Sequence, residues 1–259
     1  MTAPHNMYSY STYSFGKMVP PDQGVFEESS TAKAALGTRI AFEDGRVYRY
    51  AKNGATALAA GKFVKAGALV AQATKAVEAA VVVGNNTITL TTSSAITTAT
   101  DGYLQIDTGS GMTGQQYKIK TCAANATTAT STDFTLYDPI AVALTTSAYG
   151  SVFYNPYEQC EVVSAQTDIV LGVPTIPVTA EYYFWLQTWG PACVLSEGTP
   201  AAGYVVTVGV NSGAGGTTNI LPLNTTGAGA SQFAGPMVGI QMQVGVNNLY
   251  KMVNLMLMP

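Results

Sequence analysis

The segment around Asp107 comes closer to a catalytic motif than any other part of this chain. Leu104-Gln105-Ile106 has the composition of a strand and runs into Asp107-Thr108-Gly109-Ser110. A strand that ends in Asp-Thr-Gly can hold a carboxylate beside a second one, so that the two share a proton and activate water. The chain has a single Asp-Thr-Gly, so this chemistry would require a homodimer.

Two features of the sequence argue against an aspartic protease. The second signature of such enzymes, two apolar residues followed by Gly and then Arg-Asp or Arg-Asn, is missing. The nearest segment, Ile169-Val170-Leu171-Gly172, continues into Val-Pro. Asp, Thr, Gly and Ser are also the common residues of turns. We therefore interpret Asp107 as a turn residue and keep a retropepsin-like protease as an alternative.

Other kinds of catalytic site lack the partners that they need. A Ser or Cys nucleophile requires a base, and the only histidine, His5, lies close to the first residue. The three cysteines, Cys122, Cys160 and Cys193, have no metal-like spacing, so we expect buried free thiols. No cluster of His, Cys, Asp and Glu indicates a metal site. The sequence therefore predicts a protein that is not an enzyme and has no catalytic, metal or cofactor residues.

The chain is poor in charge for its length. Only 10% of its 259 residues are charged, against a usual value of about 25%, and the run from Gly198 to Tyr250 has none. That run is too polar for a membrane span and too apolar for a disordered linker. Short strands with hydroxyl and amide side chains are expected there. A surface with so little charge associates with itself, so we expect a homo-oligomer.

The balance of charge also limits the partners. The net charge is −3 and the pI is about 5.1, which argues against nucleic acid, and no long apolar window indicates a membrane partner. Residues 1–16 contain no apolar core of a secretion signal. Three arginines, Arg39, Arg46 and Arg49, lie among further lysines in the first part of the chain. They would attract an acidic partner, or they belong to a solvated strand face.

The first 35 residues have the composition of an extended N-terminal arm. Tyr8, Tyr10, Tyr13 and Phe15 alternate loosely with Ser and Thr, and two prolines then interrupt any regular element. An arm rich in Tyr but without a core of its own lies on another surface. That surface is either the arm's own domain or a neighbouring subunit.

The rest of the chain reads as all-β, in β-barrel or β-sandwich modules. Runs of β-branched and aromatic residues alternate with Gly, Asn, Asp and Ser, whereas residues 66–83 are Ala-rich and ambiguous between strand and helix. Residues 47–64 and 184–206 each contain an aromatic strand, a Gly turn, small residues that end in Leu, and then Ala-Ala-Gly before an apolar strand. We interpret them as two similar β modules on either side of an insertion. We therefore predict a discontinuous main domain over 36–75 and 161–259, and an inserted Thr-rich subdomain over 76–160.

Three segments resemble a known family. LGTRIAFEDGRVYRYAKNGATALAAGKFV (36–64), LYDPIAVALTT (136–146) and YYFWLQTWGPACVL (182–195) are similar to segments of virion structural proteins from tailed bacteriophages. Members of that group include capsid decoration proteins. The resemblance extends over about residues 36 to 210 and carries no catalytic signature.

The resemblance implies a function in the virion. It implies a non-enzymatic all-β protein, often a trimer, that sits on the capsid surface and binds the major capsid protein. Such a cement protein stabilises the shell by bridging neighbouring subunits. The resemblance assigns no individual residues, and it is the composition of the chain that makes the arm aromatics and the three arginines the expected contacts. The alternative is a tail, fibre or baseplate component that recognises a glycan on the host surface through exposed aromatics or Thr- and Asn-rich loops.

Overall fold

The computed structural model of the chain describes residues 22–92, 94, 96, 98–108, 114–125, 130–209, 216–220, 223–224, 232–233 and 235–257. These residues form strands and no helix, which confirms the predicted all-β class. None of them therefore belongs to a helix with the length and apolar character needed to span a bilayer. In chain order the strands are β1 (Arg39–Ala41), β2 (Val47–Lys52), β3 (Val64–Lys65), β4 (Val70–Ala76), β5 (Thr87–Thr91), β6 (Tyr103–Thr108), β7 (Gln116–Ala124), β8 (Ser131–Leu136), β9 (Tyr149–Phe153), β10 (Glu161–Val162), β11 (Val170–Pro174), β12 (Tyr183–Leu195), β13 (Val205–Gly209), β14 (Thr217–Ile220), β15 (Leu223–Asn224), β16 (Gln232–Phe233), β17 (Gly239–Gln241) and β18 (Tyr250–Met256).

The chain divides into two compact units. Unit 1 comprises Met1–Gly67 and Tyr157–Pro259, and unit 2 comprises Ala68–Pro156. The first boundary lies before β4, whereas the sequence-based division placed it after residue 75. The reason is that the ambiguous Ala-rich segment forms strand β4, which pairs with β9 in the sheet of unit 2. Each unit has its own antiparallel sheet, curled into a half-barrel.

Unit 2 is a six-stranded sheet in the order β4-β9-β6-β7-β8-β5. Its strands alternate as the pleat requires. In β6, for example, Leu104 and Ile106 are fully buried while Gln105 is exposed. A bridge between Val77 and Leu90 brings the two ends of the sheet together. The core of unit 2 is mainly aliphatic and consists of Val77, Val81, Ile88, Leu90, Ile96, Ala99, Leu104, Ile106, Tyr117, Ile119, Phe134, Leu136, Ile140, Leu144, Ala148 and Val152.

Unit 1 is organised around the long strand β12. The sheet order is β10-β3-β11-β12-β18-β17-β13-β14, and the β1–β2 hairpin joins it through β12. The first half of β12 pairs with β2 and its second half, Trp189–Leu195, pairs with β18. The aliphatic core of unit 1 consists of Phe63, Val163, Val170, Val173, Ala192, Val194, Val206, Val208, Val238, Val253 and Leu255.

A second, aromatic core in unit 1 anchors the described part of the N-terminal segment. The ring of Tyr50 meets that of Trp185 edge to face at 4.9 Å. Trp185 Nε1 donates to the Gln23 carbonyl at 2.9 Å, and the Tyr50 hydroxyl donates to Gln23 Oε1 at 2.7 Å. Val25 is buried in the same cluster. Residues 22–35 therefore lie on the core of their own unit, which is one of the two surfaces expected for the arm.

Candidate functional site

The outer surface of strands β12, β13, β17 and β18 in unit 1 is mainly apolar, with Asn254 as a polar residue beside Ile240. Its residues lie on one side of the sheet because they are cross-strand neighbours: Val205 faces Ile240, and Cys193 faces Met252. The residues on the other side, such as Val253, are buried in the core. We name this surface the apolar face and define it as Cys193, Val205, Ile240, Met242, Tyr250 and Met252.

The exposure of the apolar face exceeds what folding of unit 1 requires. Met242 and Tyr250 are 50% and 52% exposed, and Met252 is 40% exposed. The run from Gly198 to Tyr250, which supplies most of this surface, has no charged residue. Soluble monomers rarely expose a large continuous apolar patch, and such patches mark sites of interaction. The apolar face is therefore the candidate functional site of unit 1.

A groove of about 390 Å³ continues the apolar face at one side. Cys193, Tyr250 and Met252 belong to both surfaces, so the groove and the face are contiguous. The full lining is Phe26, Arg46, Tyr48, Ala60, Gly61, Val173, Pro174, Thr175, Gln187, Pro191, Ala192, Cys193, Tyr250 and Met252. Phe26 is 64% exposed at its rim. An apolar side chain from a partner would find a matching surface there.

Gly61 fixes the position of Tyr250 at the groove. Its φ is +70°, a backbone conformation that glycine adopts at no steric cost. A Cβ at this position would lie 2.6 Å from the Tyr250 ring. The Tyr250 hydroxyl donates to the Ala60 carbonyl at 3.2 Å. The missing side chain of Gly61 thus allows the ring to lie flat against this turn.

Arg46 is the one charged side chain among the described residues that line the groove. Its Nε donates to Asp44 Oδ2 at 2.7 Å and its Nη1 donates to the Tyr48 hydroxyl at 3.2 Å. Burial acts to lower the pKa of Arg46, but Tyr48 and Asp44 outweigh it and the pKa lies above its ordinary value. Burial likewise acts to raise the pKa of Asp44, yet the backbone and guanidinium of Arg46 hold it below its ordinary value. The charge of Arg46 is therefore balanced within its own hairpin.

The other two arginines that we expect to contact a partner form a cross-strand pair. Arg39 on β1 lies opposite Arg49 on β2. Arg39 is exposed, whereas Arg49 is partly buried and donates from Nη1 to the Gly37 carbonyl at 3.1 Å. The structure thus brings two of the three arginines together and places the third at the groove. Their contact with a partner remains a prediction.

The wider basic end expected from the sequence has acidic neighbours. Lys52 Nζ lies 2.6 Å from Glu181, and Lys65 Nζ lies 3.4 Å from Asp168. The partly exposed Lys52–Glu181 pair contributes little stability, whereas Lys65 and Asp168 are each only 18% exposed. Both pairs reduce the net positive potential that the lysines would otherwise present to a partner.

The remaining sequence-based candidates lie at several places. Tyr8, Tyr10, Tyr13 and Phe15 of the arm lie outside the described residues, as does His5. Asp107 lies in β6 of unit 2, where its Oδ2 accepts a 2.6 Å hydrogen bond from the Ser151 hydroxyl. Ser151 Oγ in turn accepts from the Thr74 backbone N–H, at a register shift between β4 and β9. Asp107 thus supports strand pairing in this region.

The expectation of buried thiols is right for one cysteine and wrong for another. Cys160 is buried, and burial raises the pKa of its thiol far above the ordinary value. Cys193 is exposed because its position in β12 faces outward, opposite Met252. Cys122 is intermediate, and all three are free. Within the part of the chain that the structure describes, no group of three or more His, Cys, Asp and Glu could hold a metal ion.

Sequence reasoning did not identify the apolar face residue by residue. It did not single out Ile240 or Met242. A signal was present in Tyr250–Met256, where Val253 and Leu255 alternate with more exposed neighbours. However, when both sets of alternating positions in a strand are apolar, the sequence does not show which set faces the core.

Comparisons with protein-family models, with curated proteins and with solved structures give no match for this chain.

Proposed function

We propose that this chain is a non-enzymatic structural protein that functions by assembly, as a capsid decoration protein of a tailed bacteriophage. In this role it forms a homo-oligomer, a trimer in the expected case, and bridges neighbouring major capsid subunits on the virion surface. The observation that carries the proposal is the apolar face of unit 1. The resemblance of residues 36–64, 136–146 and 182–195 to phage virion proteins supplies the biological setting.

The apolar face suits contact with a second copy of the same chain. The only polar group on its six side chains, apart from the Cys193 thiol, is the Tyr250 hydroxyl, so burial costs little desolvation. Each Å² of apolar surface removed from water contributes about 25 cal/mol. A closed trimer requires a heterologous contact, in which the apolar face of one copy packs on a different surface of the next copy around the ring.

Attachment to the shell would use other parts of unit 1. The exposed Arg39 beside Arg49 offers positive charge to an acidic capsid surface. The Tyr-rich arm provides aromatic side chains of the type that is enriched at interfaces. An oligomer that engages several capsid subunits binds more tightly than a single copy because its contacts act together.

The self-association step is tested with a double substitution on the apolar face. Ile240→Lys with Met242→Lys places two charges in every copy of the contact, and an uncompensated buried charge costs about 3–5 kcal/mol. In light scattering of the full chain at micromolar concentration, we expect an oligomer for the wild type and a monomer for the variant. Val82→Lys, at an exposed valine of unit 2, is the matched control and should stay oligomeric.

The attachment step is tested separately on particles. Purified virions imaged by electron cryomicroscopy should show density for this chain across boundaries between capsid subunits. A wild-type chain that is monomeric and absent from the capsid surface would contradict the proposal. Density at the tail or baseplate instead would favour the alternative function.

A further inference from the structure

The outer surface of the unit 2 sheet carries a small pocket with aromatic and amide walls. Antiparallel register places Tyr103 of β6 opposite Phe153 of β9, and Gln105 of β6 opposite Gln116 of β7. Because Leu104 between them is fully buried, these side chains share the outward side of the sheet. Two aromatic rings and two amides therefore lie side by side on a rigid surface.

The pocket has the size of a site for one small ring. Its volume is about 280 Å³, just below the range of about 300–1,000 Å³ for sites of drug-sized ligands. Its walls are uncharged and consist of Leu69, Tyr103, Gln105, Gln116, Phe153, Tyr154 and Pro156. An uncharged wall offers no ion pair to a phosphate or a carboxylate, so the matching ligand is neutral.

One amide of the pocket is held in a fixed orientation. Gln105 Nε2 donates to Asp107 Oδ1 at 3.1 Å, and Asp107 Oδ2 is held by the Ser151 hydroxyl at 2.6 Å. This network leaves the carbonyl oxygen of Gln105 available as an acceptor. The Gln116 side chain makes no hydrogen bond with a described residue, so it offers both a donor and an acceptor.

A neutral sugar combines the properties that these walls select. The face of a pyranose ring presents C–H groups, which stack on the negative face of an aromatic ring. Its rim carries hydroxyls that both donate and accept, as an amide side chain does. We propose that unit 2 binds a neutral hexopyranose of a glycan, with Tyr103 and Phe153 as the stacking surface and Gln105 and Gln116 as the hydroxyl-binding groups. This binding site goes beyond the assembly function and does not depend on it.

The test uses saturation-transfer NMR on the full chain. The probes are methyl β-D-glucopyranoside, methyl β-D-galactopyranoside and methyl N-acetyl-β-D-glucosaminide. We expect transfer to the ring protons of at least one glycoside, with a dissociation constant of about 1–10 mM for a ligand of this size. Tyr103→Ala should weaken binding by about tenfold because it removes the stacking ring.

Two further variants make the result decisive. Gln116→Ala should weaken binding by about fivefold and removes no buried contact, so it tests the site even if Tyr103→Ala unfolds unit 2. Tyr149→Ala changes an exposed tyrosine on the same strand as Phe153 and away from the pocket, and should bind as the wild type does. No transfer to any of the three glycosides, or equal transfer in the wild type and in Gln116→Ala, overturns the proposal. Either outcome leaves the oligomer measurement unaffected.

Discussion

The two units bury their inward residues in the same way and differ on their outer surfaces. On β6 of unit 2 the outward positions are Tyr103, Gln105 and Asp107. On β17 and β18 of unit 1 they include Ile240 and Met252, although Val253 and Leu255, on the inward side of β18, are also apolar. In β6, polar and aromatic side chains point outward and aliphatic ones point inward, as expected for a strand that covers a single core. In β17 and β18, apolar side chains on both sides indicate a core on one side and a further contact on the other.

The two cores differ as well. Unit 2 relies on one aliphatic cluster, whereas unit 1 adds an aromatic cluster with internal hydrogen bonds to Gln23. Hydrogen-bonded aromatic side chains fix one arrangement, because a buried donor left without a partner is costly. The aromatic cluster thereby fixes the β1–β2 hairpin against the first half of β12.

The largest effect is expected from Trp185→Ala, which empties the aromatic core of unit 1. Large aromatic-to-alanine changes in a core cost about 3–5 kcal/mol. Hydrogen exchange of the full chain should show faster exchange in β2 and β12 and no change in β6 and β9. Ile106→Ala in the core of unit 2 should give the reverse pattern. Equal loss of protection in both units after either change would show that the two units unfold as one.

A smaller effect is expected from Gly61→Ala at the groove of unit 1. The positive φ costs about 1–2 kcal/mol for any Cβ, and overlap with the Tyr250 ring adds about 1–3 kcal/mol. Gly203→Ala is the matched control, since Gly203 also has a positive φ, of +84°, but no atom lies within 4 Å of its Cβ position. Thermal unfolding should show the greater loss for Gly61→Ala. Equal losses would mean that Tyr250 is free to move away from the groove.

The smallest effect on stability is expected from Asp168 of unit 1, whose contribution depends on pH. Burial acts to raise the pKa of Asp168, but the N–H groups of Ser164 and Ala165 and the charge of Lys65 hold it below its ordinary value of 3.8. A lowered pKa in the folded state stabilises the fold above the ordinary pKa, and this stabilisation is lost as the pH falls through the folded value. Asp168→Asn should therefore be less stable at neutral pH by on the order of 1 kcal/mol. The difference should shrink below the ordinary pKa and vanish once the pH lies below the lowered pKa of the folded state.

Urea unfolding monitored by tryptophan fluorescence measures this effect in unit 1 alone. Both tryptophans of the chain, Trp185 and Trp189, lie in β12. Asp138→Asn, at an exposed carboxylate of unit 2, is the control and should leave the unfolding curve unchanged. A difference between Asp168→Asn and the wild type that persists undiminished in acid would show that the carboxylate charge is not what matters.

Local composition was sufficient to predict much of the fold. The β-branched and aromatic run at Val47–Lys52 and its Asp-Gly turn predict a hairpin, and the structure has one. The Ala-rich segment containing Val70–Ala76 had no clear period, and only its pairing with β9 makes it a strand. Such pairing depends on residues distant in sequence, which local propensity does not describe.

The sites were harder to predict than the strands. The absence of charge from Gly198 to Tyr250 indicated an associating surface, but the register of β17 and β18 decides which residues form it. Tyr103 and Phe153 are far apart in the sequence and become neighbours only through the sheet. Among the arginines, Arg46 is held by Asp44 two positions away, a contact that the sequence alone did not distinguish from a free charge.

The composition of the apolar face also makes it sensitive to oxidants. Three of its six residues, Cys193, Met242 and Met252, owe their apolar character to sulfur. Oxidation turns a methionine into a polar sulfoxide and a thiol into an acid, in each case without any change in the backbone. Storage in air or contact with peroxide would then convert this surface from hydrophobic to hydrophilic, while the strands beneath it keep their pairing.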